Sequence, residues 1–402
     1  MGSDNNPAAG KRTAAGAGLR GLLPSIFKGP GLVVVLVAVA VGSVAKFQPS
    51  LFFKIPEVGF IPWGMTGGAI PPYITYDVWE GKNHESWLKD NDVVISTGAK
   101  SGTTWMLYCT HQIRVKGQAG PKPFVDVMFS TPWPEILQHP AHTAMGQIGM
   151  MHNTTLRDGD NLSEYWNNAE YPFRIFKSHY APRQQGKAHV KSAVLPVRER
   201  RNVKFVAMAR NGLEVVRSFN QFLNMFRDEW RGTWGGFPPR ASEDDITELF
   251  HQWLPAGRHG ERWWEYVACW WPFRDDPNVL LLHYADMLAD PRAGIRKLAA
   301  FVGVDLTPAE FEDVAEKCSK EYMVAHPSHF RYLLPLNPDF GNNGELGIIE
   351  LGGMVSKRGK PGKLKLSEAQ KEVWSKTEED ILQDPALVKW AREGGSSPGA
   401  FA

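Results

Sequence analysis

Cysteine is scarce in this 402-residue chain. There are three, Cys109, Cys269 and Cys318, and they lie far apart in the sequence. Zinc sites typically show cysteines at short paired spacings, and disulfide frameworks contain several cysteines in a short chain. The sequence therefore predicts neither, and it indicates a folded part suited to reducing conditions.

An excess of charge of one sign is also lacking. The chain has 45 Lys and Arg against 43 Asp and Glu, which gives a formal net charge of +2 at pH 7. A protein that coats nucleic acid needs a much larger positive excess. Nucleic acid is therefore not expected as a partner, and a small anionic ligand, held by a few basic residues, fits the composition better.

A long apolar run is missing too. Residues 31–45 carry no charge, but they fall short of the roughly 20 residues that cross a bilayer. They follow a basic, Gly- and Ala-rich leader, residues 1–30, which we expect to be disordered or part of a targeting signal. A signal peptide, a membrane anchor and an organelle leader all fit residues 31–45, and a buried strand is the structural alternative. We expect a membrane-anchored, secretory or organelle-targeted protein, and otherwise a cytoplasmic one.

The rest of the chain is long enough for one large α/β core. Residues 46–90 contain repeated prolines, which predict an extended wrap across that core. The main domain is expected over residues 91–390, followed by a flexible tail at 391–402. The 15 tryptophans are typical of a core and of pocket walls.

The stretch 92–107 (DVVISTGAKSGTTWML) has the strand–loop–helix order of an anion-binding turn. The first amides of a helix are unpaired and its dipole favours negative charge, so we expect this loop to bind a phosphate. Lys100 adds a full positive charge. Close approach of an oxyanion is allowed by the small and hydroxylated residues of the turn, Ser101, Gly102, Thr103 and Thr104. On local composition alone, an ordinary βα turn is the alternative.

The order Lys100-Ser101-Gly102 differs from that of the nucleotide-triphosphatase loop. In that loop Gly precedes Lys, and a hydroxyl that binds magnesium follows it. A metal is therefore not implied here. A kinase of the same nucleotide-loop superfamily is the alternative enzyme, and it would need magnesium and an acidic metal ligand near the loop.

Three more strands are predicted, at residues 171–180, 203–209 and 278–284. Ligands of open parallel sheets bind beyond the carboxyl ends of the strands, so Lys177 and His179 should share one face at the mouth of a site. Four strand–helix units in series predict one P-loop-like α/β domain, with a central parallel β-sheet flanked by helices on both faces.

Two further basic features accompany the predicted sheet. Arg210 ends the third strand and Ser218 lies on the next helix, and we expect both to converge on a second phosphate. Residues 356–365 place five cations in a Gly/Pro loop, which either clamps an anion or is a solvated basic turn. Taken singly, Arg210 as a surface cation and His179 as a structural hydrogen-bonding residue are the commoner interpretations.

Taken together, these stretches resemble the cytosolic-type sulfotransferases, in the family's order, over roughly residues 75–385. That family transfers a sulfuryl group from 3′-phosphoadenosine 5′-phosphosulfate (PAPS) to an acceptor. The resemblance implies a PAPS site without metal. The residues it assigns to nucleotide binding are Lys100, Ser101, Gly102, Thr103, Thr104, Trp105, Arg210, Ser218, Tyr284, Ser319, Met323, Lys357, Arg358 and Gly359. Four departures from the family's pattern are Ala99, Ala285, Lys320 and the order Lys357-Arg358.

The resemblance also implies catalytic roles, because Lys177-Ser178-His179 is similar to the family's Lys-Thr-His. We expect His179 to act as the general base, since its ordinary pKa lies close to neutrality. Lys100 should stabilise the leaving phosphate. Lys177 is expected to steady the sulfuryl oxygens or that phosphate, and Ser218 to hold Lys100 until substrate arrives.

The expected partner is a small molecule with a hydroxyl group. An apolar pocket is predicted from Trp133, Trp166, Met150, Met151 and the Trp-rich segment 230–271. A lipophilic or phenolic acceptor fits that pocket, and small polar alcohols stay open. A membrane-tethered protein that binds 3′-phosphoadenosine 5′-phosphate (PAP) without catalysis is the non-enzyme alternative. Membrane association would come through residues 31–45, and the oligomeric state is open, with a homodimer as one option.

Overall fold

The computed structural model describes residues 73–184, 192–234, 260–338, 347–354 and 366–395. Several predicted features lie outside these residues: the leader at 1–30, the apolar stretch at 31–45, most of the N-terminal wrap, and the basic loop with Lys357, Arg358 and Gly359. Within the described ranges, no helix combines the length and the apolar character needed to span a membrane.

The strands are β1 (Val93–Thr97), β2 (Ile175–Ser178), β3 (Ala181–Pro182), β4 (Ala193–Leu195), β5 (Lys204–Ala209) and β6 (Val279–His283). Four of them form the central sheet in the order β2–β1–β5–β6, and each neighbouring pair is parallel. The predicted parallel sheet is confirmed. Strands β3 and β4 pair separately.

The α-helices of the described ranges are α1 (Thr103–Arg114), α2 (Val127–Ser130), α3 (Ala144–Asn153), α4 (Gly212–Leu223), α5 (Asp228–Trp234), α6 (Gly260–Trp270), α7 (Tyr284–Ala289), α8 (Pro291–Val302), α9 (Pro308–Lys317), α10 (Lys320–Ala325), α11 (Glu368–Leu382) and α12 (Pro385–Glu393). Helix α8 begins as predicted, because the Asp290 carboxylate accepts the Ala293 N–H at 2.9 Å. It ends at Gly303, whose φ of +81° favours glycine.

Successive side chains of a strand point to opposite faces of the sheet. Both faces of this sheet are buried, because nearly every residue of the four strands is buried. One face carries a row of residues in register, Phe176, Val94, Phe205 and Val279. The opposite face carries Ile95, Val206 and Leu280. Side chains of α6 and α11 pack in the first cluster, and side chains of α1, α8 and α9 in the second. The prediction of helices on both faces is confirmed.

The predicted strand run 171–180 is shorter in the structure. Only Ile175–Ser178 forms a strand beside β1, because the chain before it turns and the Tyr171 N–H donates to the Asn168 carbonyl at 3.1 Å. Residues 73–90, the described end of the wrap, contain 3-10 helices at Asp77–Trp79 and Asn83–Ser86. The carboxyl ends of β1, β2 and β5 meet at one edge of the sheet, and this edge carries the site.

Candidate active site

A cavity of about 960 Å³ opens at the carboxyl edge of the central sheet. Its lining includes nearly all the predicted site residues that the structure describes: Lys100, Gly102, Thr103, Thr104, Trp105, Lys177, His179, Arg210, Ser218, Tyr284, Ser319 and Met323. Ser101 is the exception. Its side chain is buried behind the loop, and its hydroxyl lacks a hydrogen-bond partner among the described residues. Segments far apart in the sequence therefore converge on one space.

The cavity has two sides that differ in chemistry. The polar side is formed by Lys100, Gly102, Thr103, Thr104, Trp105, Arg210, Ser218, Tyr284, Ser319 and Met323. The apolar side is formed by Tyr73, Ile74, Trp133, Ile136, Phe222, Phe226, Ile348 and Ile349. The predicted apolar pocket includes Trp133 and, from the segment 230–271, Trp263.

Most of the other predicted pocket residues are elsewhere, and that part of the prediction was wrong. Five tryptophans of the segment 230–271 are buried in the core: Trp230, Trp234, Trp264, Trp270 and Trp271. Trp166 is buried in the core, where its ring centroid lies 5.7 Å from that of Phe176. Met151 is buried in the same cluster, and Met150 is 37% exposed on the surface. Trp166 and Met151 thus serve core packing, which a sequence pattern does not distinguish from pocket lining.

The loop between β1 and α1 is shaped for close approach of a ligand. Gly102 has a φ of +93°, and a Cβ there would lie 2.6 Å from Met208 Cε and 2.9 Å from Tyr284 Cδ2. Only glycine fits this position without strain. Gly102 is also the N-cap of α1 and has no side chain to cap the first amides. Those amides have no partner within the helix, so they can donate to an oxyanion.

Lys100 stands in this loop in a left-handed conformation, with φ of +62°. Its Nζ atom lies 4.2 Å from the centroid of the Phe222 ring, at the border between the polar and the apolar side. Burial, and next the charge of Arg210, lower the pKa of Lys100 to about 7. An anion in the cavity would favour the charged ammonium and reverse this shift.

Arg210 follows β5 and reaches toward the same loop. One of its N–H groups donates to the Lys100 carbonyl at 3.3 Å, and its Nε donates to Glu214 at 2.9 Å. Its guanidinium lies 4.4 Å from the Tyr284 ring centroid. Ser218 lines the cavity nearby, but no hydrogen bond joins it to Lys100 among the residues that the structure describes. The role predicted for Ser218 with Lys100 stays a prediction.

The other predicted nucleotide-binding residues that the structure describes, Tyr284, Ser319 and Met323, lie near Trp105. The Trp105 Nε1–H donates to the Cys318 carbonyl at 2.9 Å, and its ring lies edge-on to Tyr284. Ser319 caps α10 by accepting the Tyr322 N–H, and its neighbour Lys320 also lines the cavity. A planar base would find aromatic and apolar walls here.

Lys177 and His179 lie where the polar and apolar sides meet. Lys177 is buried, and its Nζ lies 3.3 Å from the Trp133 ring centroid and 4.4 Å from that of Tyr332. Burial lowers the pKa of Lys177 well below its ordinary value, which the charge of Glu135 opposes and that of Lys100 reinforces. Aromatic faces on two sides favour a cation in this position.

The His179 imidazole is held in one tautomer. Its Nδ1 lies 2.9 Å from the Thr97 carbonyl, which can only accept, so Nδ1 carries the proton and Nε2 carries a free lone pair. Burial, and then the charges of Lys177 and Lys100, lower the pKa of His179 to about 3. The ring is therefore neutral near pH 7, with the lone pair of Nε2 unprotonated.

The sequence predicted a turn beside a pocket at residues 131–135 but no role for Glu135. Its carboxylate is buried between Trp79, Trp133 and the end of β2, and burial raises its pKa to about 7. The available signal was an isolated acid in the otherwise uncharged run 131–137 (TPWPEIL). Within the described residues, no group of His, Cys, Asp and Glu side chains is placed to hold a metal ion.

Comparison with known proteins gives a family match over more than half of the chain. Residues 90–335 match the model of the sulfotransferase domain. The chain is 24% identical over 252 residues to rat Sulfotransferase 1C2, a match that covers 61% of this chain and 70% of that protein. It is 32% identical over 163 residues to human Sulfotransferase 4A1, which covers 39% of this chain and 53% of that protein.

Solved structures show the same fold. Mouse sulfotransferase SULT7A1 complexed with PAP aligns with a TM-score of 0.52 and 15% identity, over 80% of this chain and 95% of that one. Retinol dehydratase in complex with androsterone and inactive cofactor PAP aligns with a TM-score of 0.50 and 19% identity, over 78% and 87%. At these identities the likeness concerns the fold.

Proposed function

The chain belongs to the sulfotransferase domain family, and from that premise we propose that it transfers a sulfuryl group from PAPS to a hydroxyl of a small lipophilic or phenolic acceptor. The observation that carries the proposal is the convergence of Lys100, Arg210, Lys177 and His179 on one cavity with a polar and an apolar side. The polar side suits a doubly phosphorylated donor, and the apolar side suits a lipophilic acceptor.

The polar side suits PAPS in its charges and in its aromatic side chains. The open amides at the start of α1 and the Lys100 ammonium suit the 5′-phosphosulfate. Arg210 and Ser218 suit the 3′-phosphate, because a planar guanidinium binds a phosphate through two N–H groups. Trp105 and Tyr284 offer aromatic contact to adenine. Lys357, Arg358 and Gly359 are proposed to close over the 3′-phosphate, although they lie outside the described residues.

PAPS supplies an activated sulfuryl group, and the residues of the chain manage the proton and the charge. His179 Nε2 takes the proton of the acceptor hydroxyl as the new oxygen–sulfur bond forms. The bond from sulfur to the bridging oxygen breaks, and its electron pair stays on the 5′-phosphate of PAP. Lys100 stabilises that charge, and Lys177 steadies the sulfuryl oxygens.

The acceptor class follows from the apolar side. Phe222 and Phe226 lie with ring centroids 4.8 Å apart, and Phe226 lies 6.3 Å from Tyr73, so aromatic rings line one continuous wall. Binding to such a wall is favourable when it removes apolar surface from water. A lipophile or a phenol has such surface, and a small polar alcohol has little of it.

A labelled-donor assay tests this function. Full-length protein, and protein without residues 1–45, are incubated with PAPS labelled in its sulfuryl group and a panel of sterols, phenols and small polar alcohols. We expect label on lipophilic or phenolic hydroxyls with both proteins. Binding of PAP without transfer would support a non-catalytic protein, and phosphate transfer from ATP with magnesium would support a kinase. Either result would overturn the proposal.

A further inference from the structure

We propose that Glu135 is a positioning residue for sulfuryl transfer: its buried carboxylate fixes the end of β2, which carries Lys177 and His179, and the Trp133 indole that both of them contact. The inference rests on the proposed function, because it assigns how the reacting groups of that site are held. Glu135 itself is absent from the lining of the cavity, so it acts through its neighbours.

The carboxylate of Glu135 accepts hydrogen bonds at both oxygens from three separate segments. Oε1 accepts from the Trp79 Nε1–H at 2.8 Å and from the Ser178 hydroxyl. Oε2 accepts from the Trp133 Nε1–H at 2.9 Å and from the His179 backbone N–H at 3.3 Å. A buried carboxylate with donors at both oxygens is held in one orientation, and in turn it holds its donors.

The donors to Glu135 are also neighbours of the reacting groups. The Trp133 ring lies 3.3 Å from Lys177 Nζ and stands edge-on to the His179 ring, with centroids 5.1 Å apart. Ser178 lies between Lys177 and His179 in the sequence, and its hydroxyl also accepts the Tyr180 N–H at 3.1 Å. Rotation of Ser178 or Trp133 would therefore displace both Lys177 and His179.

Glu135 also supplies negative charge, which is complete only above its own raised pKa of about 7. Lys177 is buried with Lys100 nearby, and both circumstances lower the pKa of its ammonium, whereas the negative charge of Glu135 raises it. The aromatic faces of Trp133 and Tyr332 add to this support. Loss of the charge at Glu135 should lower the pKa of Lys177 further, and thus shift the pH at which the cation is lost.

Glu135→Gln is the decisive variant, because it keeps the shape of the side chain and removes the charge. The amide has one acceptor oxygen, so its NH₂ group would face two of the existing donors. We expect kcat to fall about 10- to 100-fold, the loss usual for a residue that orients a reacting group. The PAP Kd should change less than about twofold, and the alkaline limb of the kcat–pH profile should move to lower pH.

Trp79→Phe is the matched control. It removes one donor to Glu135, from a residue that does not line the cavity, and keeps the carboxylate charge and the donors from Ser178, Trp133 and His179. We expect a lower Tm, with kcat and the pH profile close to those of the wild type. If Glu135→Gln fails to fold, Ser178→Ala tests the same point, since it breaks the link to β2 and keeps the charge. That variant should lower kcat several-fold.

Two outcomes would separate this inference from the function it rests on. If Glu135→Gln lowers Tm as Trp79→Phe does and keeps the wild-type kcat and pH profile, Glu135 is only structural and the inference is overturned. If the wild type binds PAP but transfers no sulfuryl group, the proposed function fails instead. In that case, NMR titration of labelled lysine, with Lys177→Met to assign the signal, would still show whether Glu135→Gln lowers the pKa of Lys177.

Discussion

The polar and the apolar side of the cavity are assembled in different ways. Half of the polar side comes from one turn, where β1 leads into α1 through Gly102 and Lys100. The apolar side collects residues near 73, 133, 222 and 348, from four distant segments. Binding of charge thus depends on local backbone geometry, whereas binding of apolar surface depends on how separate segments pack together.

This difference predicts which substitutions each side tolerates. A loop whose amides must point at a phosphate tolerates little change, because a Cβ at Gly102 would collide with Met208 and Tyr284. A wall of Phe and Ile side chains tolerates exchange of one apolar residue for another. Lys177 and His179 lie between the two sides. A substitution at either residue should slow sulfuryl transfer and leave the PAP affinity nearly unchanged.

The largest effect is expected at this junction. Replacing His179 by Ala removes the proton acceptor, and general-base removal costs about 10² to 10⁴-fold in turnover. PAP affinity should stay within about twofold, since the imidazole bonds to Thr97 and not to the phosphate loop. Single-turnover transfer of labelled sulfuryl groups, with a PAP titration, measures both quantities.

The matched control for that experiment is His139→Ala, a histidine that does not line the cavity. Its turnover should equal that of the wild type. Substantial activity in His179→Ala would refute the base assignment, and a large loss of PAP affinity would show that the junction and the polar side are not separable.

The half of the polar side formed by residues 100–105 could be predicted from local signals, whereas Tyr284, Ser319 and Met323 were assigned only through the resemblance to a family. The strand, the small polar turn and the helix start at Thr103 follow one another within residues 93–103, and the capping and dipole rules act within that span. Arg210, Lys177 and His179 could be placed because parallel strands all end at one edge of the sheet.

The apolar side could be predicted only in part, because hydrophobicity does not say which surface a residue covers. Trp133 lines the cavity, while Trp166 and Met151 pack in the core. Glu135 was missed for a related reason. Its importance depends on donors from Trp79 and Ser178, which come near it only when the wrap and β2 fold against each other.

Two variants, one on each side of the cavity, test the comparison with smaller expected effects than that of His179→Ala. Tyr284→Ala removes the ring that contacts Arg210 and Trp105, so the PAP Kd should rise about tenfold while the acceptor KM stays the same. Phe226→Leu trims the apolar wall, so the acceptor KM should rise about tenfold while the PAP Kd stays the same. Initial rates and PAP titration separate the two. If either variant changes both constants equally, the division into two sides is wrong.

The smallest effect concerns one proton on the polar side. In the free protein the pKa of Lys100 is lowered to about 7, so near pH 8 Lys100 is neutral in most molecules. A bound phosphate favours the ammonium and raises that pKa, so PAP should bind with uptake of close to one proton near pH 8 and little near pH 6. Calorimetry in two buffers of different ionisation enthalpy measures this uptake. Lys100→Arg stays charged at every pH, and its uptake should vanish. Equal uptake in the variant would place the titrating group elsewhere, and would remove Lys100 as the residue through which pH acts on donor binding.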